Sequence, residues 1–198
     1  MMEPSTETSP RRQARLAGFF WLVVILTGAL ALVVGGRLAV AANLISTACY
    51  VAATLLVYGL LKPVNRSISL TAAIFSFVGC AIGVVGSLVH LPVGQVGFIF
   101  FGLHCLLVGY LILRSTFLPR FVGALMALGG LGWLTLGLAS VLSPTFAGSL
   151  SPYILIPGIL GEATLTLWLL VMAVDAQRWN EQARASREAA LVPATEPA

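Results

Sequence analysis

The chain alternates long apolar runs with short polar breaks, and there are six such runs. Each run holds about 20 residues, and at a rise of about 1.5 Å per residue such a helix crosses the roughly 30 Å hydrocarbon core of a bilayer. The pattern therefore predicts an all-α integral membrane bundle of six transmembrane helices. The predicted helices cover approximately residues 16–34, 38–61, 67–90, 95–113, 121–142 and 153–174.

The polar breaks contain residues that end helices. The break at 62–66 holds a proline and two cations, and proline cannot continue the helical hydrogen-bond ladder. Residues 143–152 hold Pro, Gly and Ser, so we expect a loop there. At the ends we predict a disordered tail over 1–14, a transmembrane domain over 15–175, and a polar tail over 176–198 that is first helical and then disordered.

The first apolar run also has some features of a secretory signal peptide. Basic residues precede it, and Ala39-Val40-Ala41 resembles a cleavage site. The run is longer than the usual apolar region of about 7–15 residues, and no soluble domain follows it. We therefore favour a retained first helix.

The composition agrees with the membrane class. Hydrophobic residues are 59% and charged residues 9% of the chain, against about 45–50% and about 25% in soluble proteins. This excludes a sizeable soluble catalytic or nucleic-acid-binding domain. The cysteines Cys49, Cys80 and Cys105 all lie in apolar runs, where an odd number of thiols indicates packing residues and no disulfide framework. We expect no metal and no cofactor.

The positions of the basic residues predict the orientation in the membrane. With the N-terminus in the cytoplasm, every Lys and Arg except Arg37 lies on the cytoplasmic side. The positive-inside rule then puts both termini in the cytoplasm of a cell (plasma) membrane. This distribution also explains the net charge of +4 without a nucleic-acid partner. The basic residues on that side are Arg11, Arg12, Arg15, Lys62, Arg66, Arg114, Arg120, Arg178, Arg184 and Arg187.

Several motifs occur in an order typical of one family. They lie at residues 60–67, 102–112, 114–120, 130–133 and 161–170, and include Lys62-Pro63-Val64-Asn65-Arg66-Ser67, Gly102-Leu103-His104-Cys105, Gly130-Leu131-Gly132-Trp133 and Gly161-Glu162. Together they resemble domain-of-unknown-function family 4386 of bacterial multi-pass membrane proteins, over roughly residues 12–175. The resemblance implies a multi-helix membrane fold and supplies no activity.

Glu162 is the acidic residue within the predicted spans, near the middle of the sixth helix. A charge at the centre of a membrane helix costs about 2.5–3.5 kcal/mol, so such residues are functional candidates by default. Desolvation favours the neutral carboxyl unless a cation pairs with it. Gly158 and Thr166 lie one turn away on either side, and such small residues let another helix approach. Glu162 is therefore either a proton-relay or substrate-binding carboxyl, or a buried hydrogen bond that locks helices together.

The two histidines differ in depth. His104 lies about as deep in the fourth helix as Glu162 lies in the sixth, so the two could share a proton or hold a polar ligand. The alternative is that His104 bonds a backbone carbonyl or Glu162 for structural reasons. His90 lies at the outer end of the third helix, where a wet boundary residue is the simpler interpretation, and no motif supports haem bound between the two histidines.

A polar pocket open to the outside is a further hypothesis. It would combine Glu162, His104 and His90 with polar residues in the outer half of the bundle. The alternative is that each hydroxyl bonds a backbone carbonyl of its own helix. These polar residues are Asn43, Ser46, Thr47, Ser87, Gln95 and Thr135.

Small residues follow one face of two helices. They suit close helix packing within the bundle or, as the alternative, between subunits. The stripes are Ser76, Gly79, Gly83 and Ser87 on the third helix and Gly123, Ala127 and Gly130 on the fifth.

Three functions follow from these residues. The first is a protein that binds or transports a small molecule through the pocket around Glu162 and His104. The second is a membrane-embedded enzyme that uses Glu162 as an acid or base, although no catalytic motif accompanies it. The third is a structural or accessory subunit without a site. Membrane lipids are the expected partners, with a small-molecule ligand in the first case.

Overall fold

The computed structural model describes residues 9–89 and 95–191, and within them the chain forms α-helices and no strands. Six of the helices are long and apolar enough to cross a membrane, which confirms the predicted fold class. The helices are α1 Pro10–Val33, α2 Gly36–Leu61, α3 Arg66–Val89, α4 Gly97–Arg114, α5 Arg120–Leu142, α6 Pro144–Val171 and α7 Ala176–Leu191.

The six membrane-length helices form a closed ring in sequence order. Each packs against the next one along the chain, and α6 returns to pack against α1. The interior is filled by large side chains from α1, α2, α4, α5 and α6, such as Trp21, Leu60, Leu111, Met126 and Leu165, whereas the buried residues of α3 are small. Short connections make neighbouring helices antiparallel, so the start of α1 and the end of α6 lie at the same end of the bundle.

Helix α1 begins at Pro10, six residues before its predicted start. Proline suits the first position of a helix, where its missing N–H is not needed. Gln13 donates from Nε2 to the carbonyl of Leu56 at 2.9 Å, and Ala14 is fully buried. Contact with the end of α2 therefore orders residues that the polar composition placed in a disordered tail, while residues 1–8 lie outside the described part.

Helix α6 is longer than predicted at its start. It is continuous from Pro144, so the predicted loop over 143–152 is helical apart from Ser143. Pro144 again occupies the first turn, and Ala147 is buried against the bundle. In a membrane each backbone group needs an internal partner, which favours a continued helix over a loop.

The last helix lies across one end of the bundle. Ala173 adopts a positive φ of 58° and breaks the chain direction after α6, and Asp175 accepts the N–H groups of Gln177 and Arg178 at the start of α7. Trp179 then donates from Nε1 to the carbonyl of Leu60 at 2.9 Å. We call the end of the bundle that carries α7 and the start of α1 the α7 face.

Glycine seams bring helices into close contact within the chain. A Cβ on Gly109 of α4 would lie 2.7 Å from the backbone nitrogen of Ala127 and 2.8 Å from the carbonyl oxygen of Gly123, both in α5. Gly130 meets Gly102 in the same way, so the predicted small-residue stripe on the fifth helix packs inside the bundle. On α3, the Cβ position of Gly79 lies 3.3 Å from the carbonyl oxygen of Gly97.

Candidate functional site: a carboxylate between two tryptophans and an adjacent cavity

Glu162 lies inside the ring and its side chain holds three helices together. It is 7% exposed. Trp21 of α1 donates from Nε1 to Oε2 at 3.1 Å, and Trp133 of α5 donates from Nε1 to Oε1 at 2.8 Å. Each carboxylate oxygen of α6 therefore accepts one indole N–H, an arrangement we call the indole clamp.

A glycine makes the clamp possible. A Cβ on Gly158, one turn before Glu162, would lie 2.8 Å from Cε2 and 2.9 Å from Nε1 of Trp133. The indole of α5 therefore lies directly on the backbone of α6, and any larger residue at Gly158 would push its N–H away from the carboxylate. Gly158 was predicted to let another helix approach, and in the structure it makes room for the Trp133 side chain of α5.

His104 is fully enclosed but does not bond Glu162. Its Nδ1 lies 2.8 Å from the carbonyl oxygen of Ala72 in α3, and because a carbonyl can only accept, Nδ1 carries the proton. The other nitrogen, Nε2, has no hydrogen-bond partner among the described residues. The predicted contact between His104 and Glu162 is therefore not made. Trp21 bonds Glu162 instead, and its ring centroid lies 6.3 Å from that of His104.

An aromatic cluster surrounds these two residues. The ring of Tyr50 lies 5.6 Å from Trp21, 5.8 Å from His104 and 5.3 Å from Phe101, measured between centroids. Phe101 in turn contacts Trp133 at 5.3 Å. The hydroxyl of Tyr50 is buried and has no hydrogen-bond partner among the described residues, although such an atom costs about 1–3 kcal/mol when left unsatisfied.

A cavity of about 210 Å³ adjoins this cluster, between α1, α2, α3 and α4 and away from the α7 face. For scale, an engineered apolar cavity of about 150 Å³ binds benzene. The residues that line the cavity are uncharged. They are Val24, Ser46, Thr47, Tyr50, Ser76, Gly79, Cys80, Gly97, Phe98 and Phe101.

The structure brings together part of the predicted polar pocket. Ser46 and Thr47 line the cavity. The Thr47 hydroxyl also donates to the carbonyl of Asn43 in its own helix at 2.9 Å, and the Ser46 hydroxyl donates to the carbonyl of Val24 in α1 at 3.3 Å. His104 and Glu162 lie nearby but are not among its lining residues, so the pocket is not built around them as predicted. His104 instead contacts the ring of Tyr50, and Glu162 bonds Trp21 and Trp133, whose rings contact Tyr50 and Phe101.

Other members of the predicted pocket are elsewhere. Asn43, Gln95 and Thr135 are exposed on the surface of the bundle. Ser87 donates to the carbonyl of Gly83 in its own helix at 2.9 Å, as the structural alternative supposed. His90 lies outside the described residues. The polar residues therefore divide between the cavity, the outer surface and local bonds to their own helix.

Sequence reasoning missed the tryptophans. Trp and Tyr are typical of membrane interfaces, whereas Trp21 is fully buried at the depth of Glu162. For Trp133, an indole in the middle of a predicted apolar run was the available signal, because its N–H needs an acceptor there. Trp21 lies near the start of its predicted run and gave no such signal. Among the described residues, no group of three or more His, Cys, Asp or Glu side chains is placed to hold a metal ion.

Comparisons with known proteins support the family resemblance. The model of the family described as Domain of unknown function (DUF4386) matches residues 87–173, which confirms the resemblance there. An uncharacterized protein of Archaeoglobus fulgidus is 32% identical over 83 residues, which are 39% of this chain and 51% of that protein. The chain thus matches about half the length of this archaeal relative. No solved structure matches the chain.

Proposed function

We propose that this chain, whose residues 87–173 match the DUF4386 family model, binds a small uncharged molecule within the membrane, as a binding or transport site. In this proposal it is a multi-pass protein of a bacterial cell membrane with both termini in the cytoplasm. The observation that carries the proposal is the cavity of about 210 Å³ lined by Tyr50, whose buried hydroxyl has no partner among the described residues.

The lining of the cavity suggests the class of ligand. Hydroxyl groups of Ser46, Thr47 and Ser76 lie among the aromatic rings of Phe98 and Phe101. A charged ligand would lose its hydration without gaining a counter-ion in this lining, which is costly in a low-dielectric site. A neutral molecule with an apolar body and one hydroxyl or carbonyl group fits better, because it can bond a hydroxyl and fill the apolar space.

Glu162 acts in this proposal as a positioning residue. It does not line the cavity, but it bonds Trp21 and Trp133. Those indoles pack against Tyr50 and Phe101, which do line it. The carboxylate therefore holds the wall of the cavity in place and does not contact the ligand.

The structural-subunit hypothesis also has an observation in its favour. The indole clamp ties α1, α5 and α6 together, which is what a purely structural Glu162 requires. The enzyme hypothesis has less support, because no carboxylate, histidine or lysine lines the cavity and both oxygens of Glu162 accept indole N–H groups. Binding of a ligand decides between the binding-site proposal and the structural-subunit hypothesis.

The test uses the full chain purified in mild detergent. Native mass spectrometry and an absorption spectrum identify any small molecule that remains bound, and phenol serves as a neutral hydroxyl-bearing probe, detected by saturation-transfer NMR. We expect phenol to bind the unaltered chain. Tyr50→Phe removes the unpartnered hydroxyl and should weaken phenol binding about tenfold, the effect of roughly 1.4 kcal/mol for one hydrogen bond.

A matched pair of variants controls for added bulk. Thr47 lines the cavity while its neighbour Ala48 is exposed on the outside of α2. Thr47→Phe should abolish phenol binding and Ala48→Phe should leave it unchanged. A chain that purifies without any stoichiometric molecule and binds no phenol would contradict the proposal and favour a structural subunit.

A further inference from the structure

A second concave site lies on the α7 face, independent of the intramembrane cavity. It is a groove of about 420 Å³ between the turn that joins α2 to α3 and the helix α7. Lys62 and Arg66 form one wall, and Ser186 and Arg187 of α7 lie on the other. We call it the basic groove.

The charges of the basic groove are not balanced by acids on its first wall. Lys62 and Arg66 are exposed, and neither makes a salt bridge with any residue that the structure describes. The acid nearest in sequence to the start of α7, Asp175, pairs with Arg178 at 3.5 Å outside the groove. Two exposed cations on one wall of a groove favour an anionic occupant.

The floor of the basic groove is apolar and aromatic. Tyr58, Pro63, Trp179 and Ala183 contribute to its lining. The Trp179 N–H is already used by the carbonyl of Leu60, so the indole presents apolar surface to an occupant. Because α2 ends at Leu61, the groove lies where a membrane-spanning helix leaves the hydrocarbon core. Such a level in the bilayer is occupied by lipid headgroups.

We infer that the basic groove binds a phosphate group. Lys62, Arg66 and the Ser186 hydroxyl supply the cationic and hydrogen-bonding contacts that a phosphate requires. The apolar floor suits the glycerol and upper acyl carbons of an anionic phospholipid, whereas a free phosphate would use the basic wall alone. The shared chemistry is the phosphate, and the experiment separates the two sources.

The experiment measures the thermal unfolding midpoint of the full chain in detergent with three additives: phosphatidylglycerol, phosphatidylcholine and inorganic phosphate. We expect phosphatidylglycerol to raise the midpoint more than phosphatidylcholine does. An equal rise with inorganic phosphate identifies a free phosphate as the occupant, and a rise with phosphatidylglycerol alone identifies a headgroup. Both outcomes support a phosphate site, and no rise with either phosphate-bearing anion overturns it.

Two variants with the same added charge test the location. Ser186→Glu puts a carboxylate into the basic groove and keeps Lys62 and Arg66, so the topology signal is unchanged. Ala185→Glu adds the same charge at an exposed position of α7 outside the lining. We expect Ser186→Glu to remove the midpoint rise and Ala185→Glu to retain it. Equal losses in both would show a diffuse charge effect and overturn the site.

A charge-removal pair gives a second measure. Lys62→Gln with Arg66→Gln should weaken apparent phosphate affinity about fivefold for each cation removed, from about 1 kcal/mol per basic residue near the headgroups. Arg120→Gln with Arg184→Gln removes two exposed cations from the same face outside the groove lining. Affinity that falls equally in this control would contradict a defined site.

Discussion

At the scale of single residues, the chemistry of this protein centres on a carboxylate with two donors. Glu162 accepts one indole N–H at each oxygen, and an intramolecular hydrogen bond contributes about 0.5–1.5 kcal/mol net. Trp133 could not reach it without Gly158, whose missing side chain leaves room for the indole. The three residue types are visible in the sequence, but their contacts join helices far apart in the chain.

Replacing Glu162 with Gln should destabilise the chain. Glutamine has a single acceptor oxygen, so it satisfies one indole while its own N–H₂ faces the other donor. We expect Glu162→Gln to lower the free energy of unfolding by about 1–3 kcal/mol, measured by denaturant titration in detergent with circular dichroism. Trp133→Phe removes one donor. The double variant Glu162→Gln/Trp133→Phe should therefore lose less free energy of unfolding than the sum of the two single variants.

The control for this cycle is Glu181→Gln. Glu181 is exposed on α7 and accepts only a local bond from Gln177, so its change should stay within about 0.5 kcal/mol. Additive losses in Glu162→Gln and Trp133→Phe would mean that the two side chains do not act on each other, contrary to the indole clamp.

At the scale of elements, close contact between α4 and α5 rests on glycine. The Cβ of any residue at Gly109 would meet backbone atoms of Gly123 and Ala127, which cannot move aside as a flexible side chain can. In a bilayer, where lipid is as apolar as leucine, such close packing supplies much of the attraction between helices.

Gly109→Ala should therefore separate α4 from α5. We expect a loss of about 1–3 kcal/mol or more, the usual cost of inserting atoms into a packed interior, seen as a lower unfolding midpoint in detergent. Gly148→Ala is the matched control, since Gly148 of α6 is exposed and has no atom within 4 Å of its Cβ position. There alanine should be neutral or stabilising by up to about 1 kcal/mol. Equal destabilisation by both variants would contradict the seam.

At the scale of the whole molecule, the ring and the basic residues define two different ends. The described Lys and Arg residues lie at the α7 face with the exception of Arg37, which follows the α1–α2 turn. By the positive-inside rule, we propose that the α7 face lies in the cytoplasm. In that orientation the cavity would lie in the outer half of the bundle, and the basic groove would meet the anionic cytoplasmic leaflet.

Labelling of single cysteines in intact cells tests this orientation. In a chain with Cys49, Cys80 and Cys105 replaced by alanine, we expect Gly35→Cys to react with a membrane-impermeant maleimide added outside. Ser67→Cys, exposed at the α7 face, should react only after the membrane is permeabilised. The reverse pattern would invert the orientation and place the basic groove outside the cell.

The sequence by itself determined the class of the protein. Runs of about 20 apolar residues indicate membrane-spanning helices. In lipid, the backbone N–H and C=O groups of such a run find hydrogen-bond partners within the helix itself. The same physics shows why residues 143–152 were mistaken for a loop: proline in the first turn of a helix costs little, and the membrane favours continued hydrogen bonding. The resemblance over residues 87–173 was also visible from local motifs.

Tertiary structure decided the site. Glu162 and His104 were predicted from the cost of burying polar groups, which is a property of each residue alone. Their partners depend on which helices become neighbours, and only the closure of the ring between α6 and α1 brings Trp21 to Glu162. Likewise, the cavity beside Tyr50 and the groove beside Lys62 are spaces between helices. Periodicity and composition predict which segments form apolar helices. They carry no information about the shape of the space that several packed helices leave unfilled.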